Sequence, residues 1–73
     1  MSFSKDIKNV RRKALLSQEA FAQALGVSFT TVNRWETGKS KPSYKGMKVI
    51  DDFCKENKID FDISKQMMED NNE

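Results

Sequence analysis

The chain has 73 residues, 37% of them hydrophobic and 33% charged, with a net charge of +2, one cysteine and no histidine. A chain of this length supports a single domain, residues 1–73, whose core is too small for a cleft enzyme. Without histidine or a second thiol, most zinc sites, His-dependent nucleophilic catalysis and an internal disulfide are excluded, so neither metal nor cofactor is expected. No apolar run nears the ~20 residues of a membrane span and no signal-peptide stretch opens the chain, which predicts no membrane partner and a reduced, cytoplasmic protein.

Phe3, Ile7, Val10 and Ala14 recur at helical spacing and predict a first helix over residues 4–14, capped by Ser2 or Ser4. Ser17 is placed to cap a second helix over residues 17–25, with Leu16 and Phe21 as its hydrophobic staple. Glu19 falls at N2 rather than N3, which leaves the capping box incomplete but still favours the positive end of the helix dipole. Ser28 caps a third helix over residues 28–37, with Val27 and Val32 as its staple and Gly38 as its stop. Between these two helices the spacing of Ala22, Gly26 and Val32 is informative. A small residue permits close approach, a glycine four positions on takes the left-handed turn, and a valine faces back into the corner. With Phe21, Leu25, Val27 and Trp35 at the apolar positions, the segment predicts a helix-turn-helix. Lys39 to Lys41 form a basic loop, and Pro42 and Ser43 open a fourth helix that turns Met47, Ile50, Phe53 and Cys54 inward and ends near Asn57. Ile59, Phe61 and Ile63 alternate as in a strand, whereas Ile59, Ile63 and Met67 fit a helix. A short fifth helix is preferred, followed by a frayed tail from Glu69. The predicted fold is all-α, a compact bundle of four to five helices.

Charge is unevenly spread. Residues 1–48 hold ten Lys/Arg against three Asp/Glu, and residues 49–73 hold three against eight, so one half of the chain attracts a polyanion and the other repels it. The run LSQEAFAQALGVSFTTVNRWETGKSKPS, from Leu16 to Ser43, resembles the lambda-repressor/Cro-type helix-turn-helix family, and the likeness extends over residues 4–60. That resemblance implies a lambda-repressor-like bundle, a palindromic operator in double-stranded DNA as ligand, and a symmetric homodimer. It also implies that Arg11 pairs with the acid at Glu36, and that Gln18, at the start of the second helix, hydrogen-bonds a phosphate.

Around the third helix, Thr30, Asn33, Arg34 and Thr37 fall opposite Val32 and Trp35, on the face a major groove would meet. Arg34 is the residue type that forks onto guanine O6 and N7, and Asn33 the type that reads adenine N6 and N7. Thr30 sits where it can touch a base or a thymine methyl. Phe29 either meets a thymine methyl or folds back over the second helix. Backbone contacts are assigned to Gln18, Ser28, Thr37, Lys39, Lys41, Lys45 and Lys48. Lys45 and Lys48 oppose the dipole of the fourth helix, which a nearby phosphate would reverse and which simple solvation would otherwise explain. Arg11 and Glu36 read as a structural pair, Arg12 and Lys13 as solvated, and Cys54 as core. Ile59, Phe61, Ile63, Met67 and Met68 exceed what one short helix needs for packing and are assigned to a dimer interface. The sequence therefore predicts a DNA-binding transcription regulator, acting as a repressor by occupancy, either covering a promoter or touching RNA polymerase from beside one. Close variants are a small phage repressor, a controller protein of a restriction-modification system, and an antitoxin with a toxin as its partner. The rival is a protein-interaction module that uses the acidic half; an enzyme ranks third.

Overall fold

A computed structural model describes residues 3–61. Within them the chain forms four helices: α1 (Phe3–Lys13), α2 (Gln18–Leu25), α3 (Phe29–Glu36) and α4 (Tyr44–Glu56). The three serines that precede α2, α3 and α4 all cap them: the hydroxyls of Ser17, Ser28 and Ser43 accept from the backbone N–H of Ala20, Thr31 and Gly46. Each satisfies one of the donors that a helix start leaves unpaired.

All four helices stop in the same way. The first or second residue beyond the helix is left-handed: Gly26 (φ 75) directly after α2, and Leu15 (φ 61), Gly38 (φ 78) and Lys58 (φ 56) one position further on after α1, α3 and α4. The amide that follows it reaches back across the last turn: Leu16 N to Arg11 O at 3.2 Å, Val27 N to Ala22 O at 3.0 Å, Lys39 N to Arg34 O at 2.9 Å and Ile59 N to Cys54 O at 2.8 Å. This is the Schellman closure, which satisfies orphan carbonyls and turns the chain sharply. In three of the four cases that amide belongs to an apolar residue, Leu16, Val27 or Ile59, which then packs on the core.

That core is drawn from every helix. Phe3, Ile7 and Val10 come from α1, Phe21, Ala22 and Leu25 from α2, Val32 and Trp35 from α3, and Met47, Ile50, Phe53 and Cys54 from α4. Phe21 and Phe53 meet edge to face with centroids 5.3 Å apart, a geometry worth about 0.5–1.5 kcal/mol beyond the area buried. α3 packs against α1 and α2, and α2 also packs against α4, so α3 is held from one side and keeps the other toward solvent.

Three expectations are corrected. α1 begins at Phe3 and ends at Lys13, so Ser4 lies inside its first turn and cannot be its cap; Ser2 is outside the described residues. The turn after α1 starts earlier than expected because Leu15 takes the left-handed position that closes the helix. A fifth helix does not start at Ile59: the Schellman closure at Lys58 draws the chain back over the end of α4, and residues 59–61 are irregular while Ile59 and Phe61 pack on the core. The remainder of that expected helix, with Ile63, Met67 and Met68, lies outside the described residues.

Candidate nucleic-acid interface

α3 carries two opposed sets of polar groups. Inward, Glu36 is the one buried charged residue among those described, with its side chain 1% exposed. Its carboxylate is met from two helices. From α1, Arg11 donates Nε to Oε2 at 2.7 Å and Nη2 to Oε1 at 3.1 Å, while its Nη1 donates to the Leu16 carbonyl at 3.0 Å. From α2, Gln18 donates Nε2 to Oε1 at 3.0 Å. A bidentate guanidinium–carboxylate pair with a further amide donor is the geometry that makes a buried carboxylate tolerable. Thus the expected Arg11–Glu36 pair forms, and it ties the end of α3 to α1 and to the start of α2.

Gln18 was expected at a phosphate, and the network fixes its position. One amide hydrogen is used on Glu36 and the second remains to be donated, at the N-terminus of α2, where backbone N–H groups also favour an anion. The tie to Glu36 was not foreseen. It depends on α2 and α3 crossing so that a residue at the start of one meets a residue at the end of the other, which linear spacing does not report.

Outward, Thr30, Asn33 and Arg34 are all exposed. None of their side chains makes a hydrogen bond or ion pair with a described residue. Phe29, at the start of the same face, is 48% exposed, so its ring is half in water. Ser28 and Thr37 flank this face with hydroxyls already engaged. Ser28 Oγ accepts from Thr31 N and shares a 2.9 Å hydrogen bond with Thr31 Oγ1, while Thr37 Oγ1 donates to the carbonyl of Asn33 at 2.9 Å and lies 3.3 Å from that of Arg34. Reaching a phosphate would require Thr37 to leave its helix carbonyl.

Lys39, Lys41, Lys45 and Lys48 are exposed along the loop after α3 and the first turns of α4. Between Ser43 and Lys45 stands Tyr44, 72% exposed, a phenol with a donor to offer that the sequence reading passed over. An aromatic residue set among lysines at a helix start was the available signal. Gly46, one turn into α4, was also missed: a Cβ there would stand 2.9 Å from the Pro42 Cβ, so the glycine lets the loop lie against the helix. Cys54 is 1% exposed and its thiol is pushed up from 9.0 to about 11, chiefly by burial and secondarily by Asp51, which keeps it protonated and unreactive. No helix among the described residues is long and apolar enough to cross a membrane.

Residues 7–55 match the family described as helix-turn-helix. The chain belongs to that family. Among curated proteins, this helix-turn-helix chain is 36% identical over 53 residues to the HTH-type transcriptional activator BcrR of Enterococcus faecalis, covering 73% of the chain and 26% of the activator. It is 40% identical over 50 residues to the type II methyltransferase M.SsoII of Shigella sonnei, covering 64% of the chain and 13% of that enzyme. The chain therefore spans a small part of the length of either relative. No solved structure matches it at a significant level.

Proposed function

We propose that this helix-turn-helix protein is a sequence-specific DNA-binding regulator of transcription that lays α3 in the major groove. The observation that carries the reading is the split character of α3. Its inner carboxylate is locked by Arg11 and Gln18, while Thr30, Asn33 and Arg34 on its outer face are exposed and have no described partner. In this reading Arg34 reads guanine, Asn33 reads adenine, and Thr30 and Phe29 touch bases or thymine methyls. Gln18, Ser28, Thr37, Lys39, Lys41, Lys45 and Lys48, joined by Tyr44, approach the phosphates and set register without reading sequence.

Two copies bound to a palindrome would place their α3 helices about 34 Å apart, one turn of B-DNA. We assign the contact between them to the segment from Ile59 onward, with Ile63, Met67 and Met68. Ile59 and Phe61 contribute whatever area their packing on the core leaves exposed. Regulation by occupancy gives repression where the operator overlaps a promoter, in a cytoplasmic, nucleoid-associated protein; contact with RNA polymerase or with a toxin partner belongs to the same proposal. The relative from E. faecalis is named an activator, so the position of the operator decides the sign. Selection of bound sequences from random duplexes tests the reading: enrichment of a two-fold symmetric motif that loses one base preference per half-site in Arg34→Ala supports it, and failure to enrich any motif overturns it.

A further inference from the structure

α3 opens on a side chain that its own folding does not use. Phe29 is the first residue of the helix, yet Ser28 supplies the cap and Val27 and Val32 supply the apolar contacts with the core. The Phe29 ring stands outside that core, 48% exposed, and makes no ring contact with a described residue. A large ring left half in water forgoes the stabilisation that full burial would bring. The other exposed residues of α3 are Thr30, Asn33 and Arg34, all of them hydrogen-bonding. Phe29 is therefore the one apolar side chain on the outer face of the helix.

Its position limits what the ring can meet. Phe29 and Asn33 stand one turn apart and are neighbours on the same face, separated by about 6 Å along the helix axis. That is less than two base-pair steps of about 3.4 Å each, so with α3 in the major groove the ring falls within two steps of the pair that Asn33 reads. Along a major-groove edge every recognition feature is a donor or an acceptor except the methyl on C5 of thymine. Covering a donor or an acceptor with a ring would strip it of water and give it no partner, whereas covering the methyl buries apolar surface on both sides. A cytosine methylated at C5 presents the same group at the same place.

We propose that Phe29 is a specificity-determining residue that reads a pyrimidine C5 methyl group, so that the protein separates thymine from uracil, and 5-methylcytosine from cytosine, at one base pair of each half-site. The proposal rests on the DNA-binding reading above and adds to it a chemical class of ligand, duplex DNA with a C5 methyl at a fixed step from the pair that Asn33 reads. An operator with cytosine at that step gains occupancy when the cytosine is methylated.

The test uses the full chain and the duplex it selects from random sequences, with each thymine replaced in turn by deoxyuridine, which removes the methyl and keeps the base pairing. Burying one methyl is worth about fourfold in affinity, so deoxyuridine should weaken binding by that factor at one thymine of each half-site, and Phe29→Ala should bind the two duplexes equally. At the same position, a pair of 5-methylcytosine with guanine should bind about fourfold more tightly than cytosine with guanine, again only when Phe29 is present. Phe29→Ala should melt with the parent; a large fall in its melting temperature overturns the proposal, because the ring would then serve the fold. A selected motif in which no thymine responds to deoxyuridine overturns the proposal and leaves the DNA reading standing. So does a response that Phe29→Ala retains, since another side chain would then read the methyl. Failure to select any motif overturns both.

Discussion

The inner and outer edges of α3 use the same kinds of polar group in opposite ways. At the inner edge, Glu36 is buried and three donors are aimed at its carboxylate, two from Arg11 and one from Gln18. At the outer edge, two residues earlier, Arg34 is exposed and has no described partner. A charge without a partner is tolerable only in water, and a buried one only when paired. The paired edge therefore fixes the position of α3, and the unpaired edge is what α3 presents to a ligand. If this division is right, substitutions on the two edges separate stability from recognition.

The largest effect is expected at Glu36. Glu36→Ala leaves the Arg11 guanidinium, with its side chain 16% exposed, without its carboxylate, and breaking a buried pair in this way costs about 3–5 kcal/mol. A domain near the lower end of the usual stability range, about 5 kcal/mol, would be largely lost, as a thermal melt followed by circular dichroism will show. Replacing both members with apolar residues, Arg11→Met/Glu36→Leu, should recover most of that loss, since no charge is then left unpaired. A double variant as unstable as Glu36→Ala would mean that the pair contributes more than mutual neutralisation.

Next in size is Arg34→Ala, which should leave the melting temperature nearly unchanged while costing about 1–3 kcal/mol of affinity on the preferred site. Competition between that site and mixed-sequence DNA reads the difference. Equal losses on both would turn Arg34 into a phosphate contact and move base reading to Asn33 and Thr30. Smaller still, Lys39→Gln, Lys45→Gln and Lys48→Gln should each weaken all sequences alike and lower the slope of log K against log salt by roughly 1 per true phosphate contact. A triple variant with an unchanged slope would remove the lysines from the interface.

Most of this division was legible in the sequence because it depends on short, regular spacing. The serine caps, the apolar positions of α2 and α3, and the outward set Thr30, Asn33 and Arg34 all follow from a period of 3.6 residues. The Arg11–Glu36 pair was implied by the family resemblance. What escaped depends on how helices cross or on backbone angles without a distinctive residue. Gln18 meets Glu36 only because of the α2–α3 angle, and Gly46 is required only because Pro42 folds against it. The irregular stretch at residues 59–61 follows from a left-handed lysine at position 58, where a glycine would have announced the turn. The same applies to Leu15, whose conformation moved the end of α1.

Those closures also supply the finest test, because they should alter stability while touching neither edge of α3. Leu15 and Lys58 occupy a backbone region that costs a residue with a Cβ roughly 1–2 kcal/mol, and glycine would relieve that cost while adding about 0.5–1 kcal/mol of unfolded-chain entropy. Leu15 is 90% exposed, so its side chain contributes little packing to lose. Leu15→Gly should therefore stabilise the fold by about 0.5–1 kcal/mol, with Lys58→Gly close behind, and urea melts resolve such a change. Gly26→Ala is the matching control. A Cβ there meets nothing within 4 Å, so its destabilisation measures the left-handed conformation alone, and it should be of similar size and opposite sign. If Leu15→Gly instead destabilises while Gly26→Ala behaves as expected, the Leu15 side chain has a role in the folded molecule that its exposure conceals. DNA affinity unchanged in all three would show that the closures set stability without entering recognition.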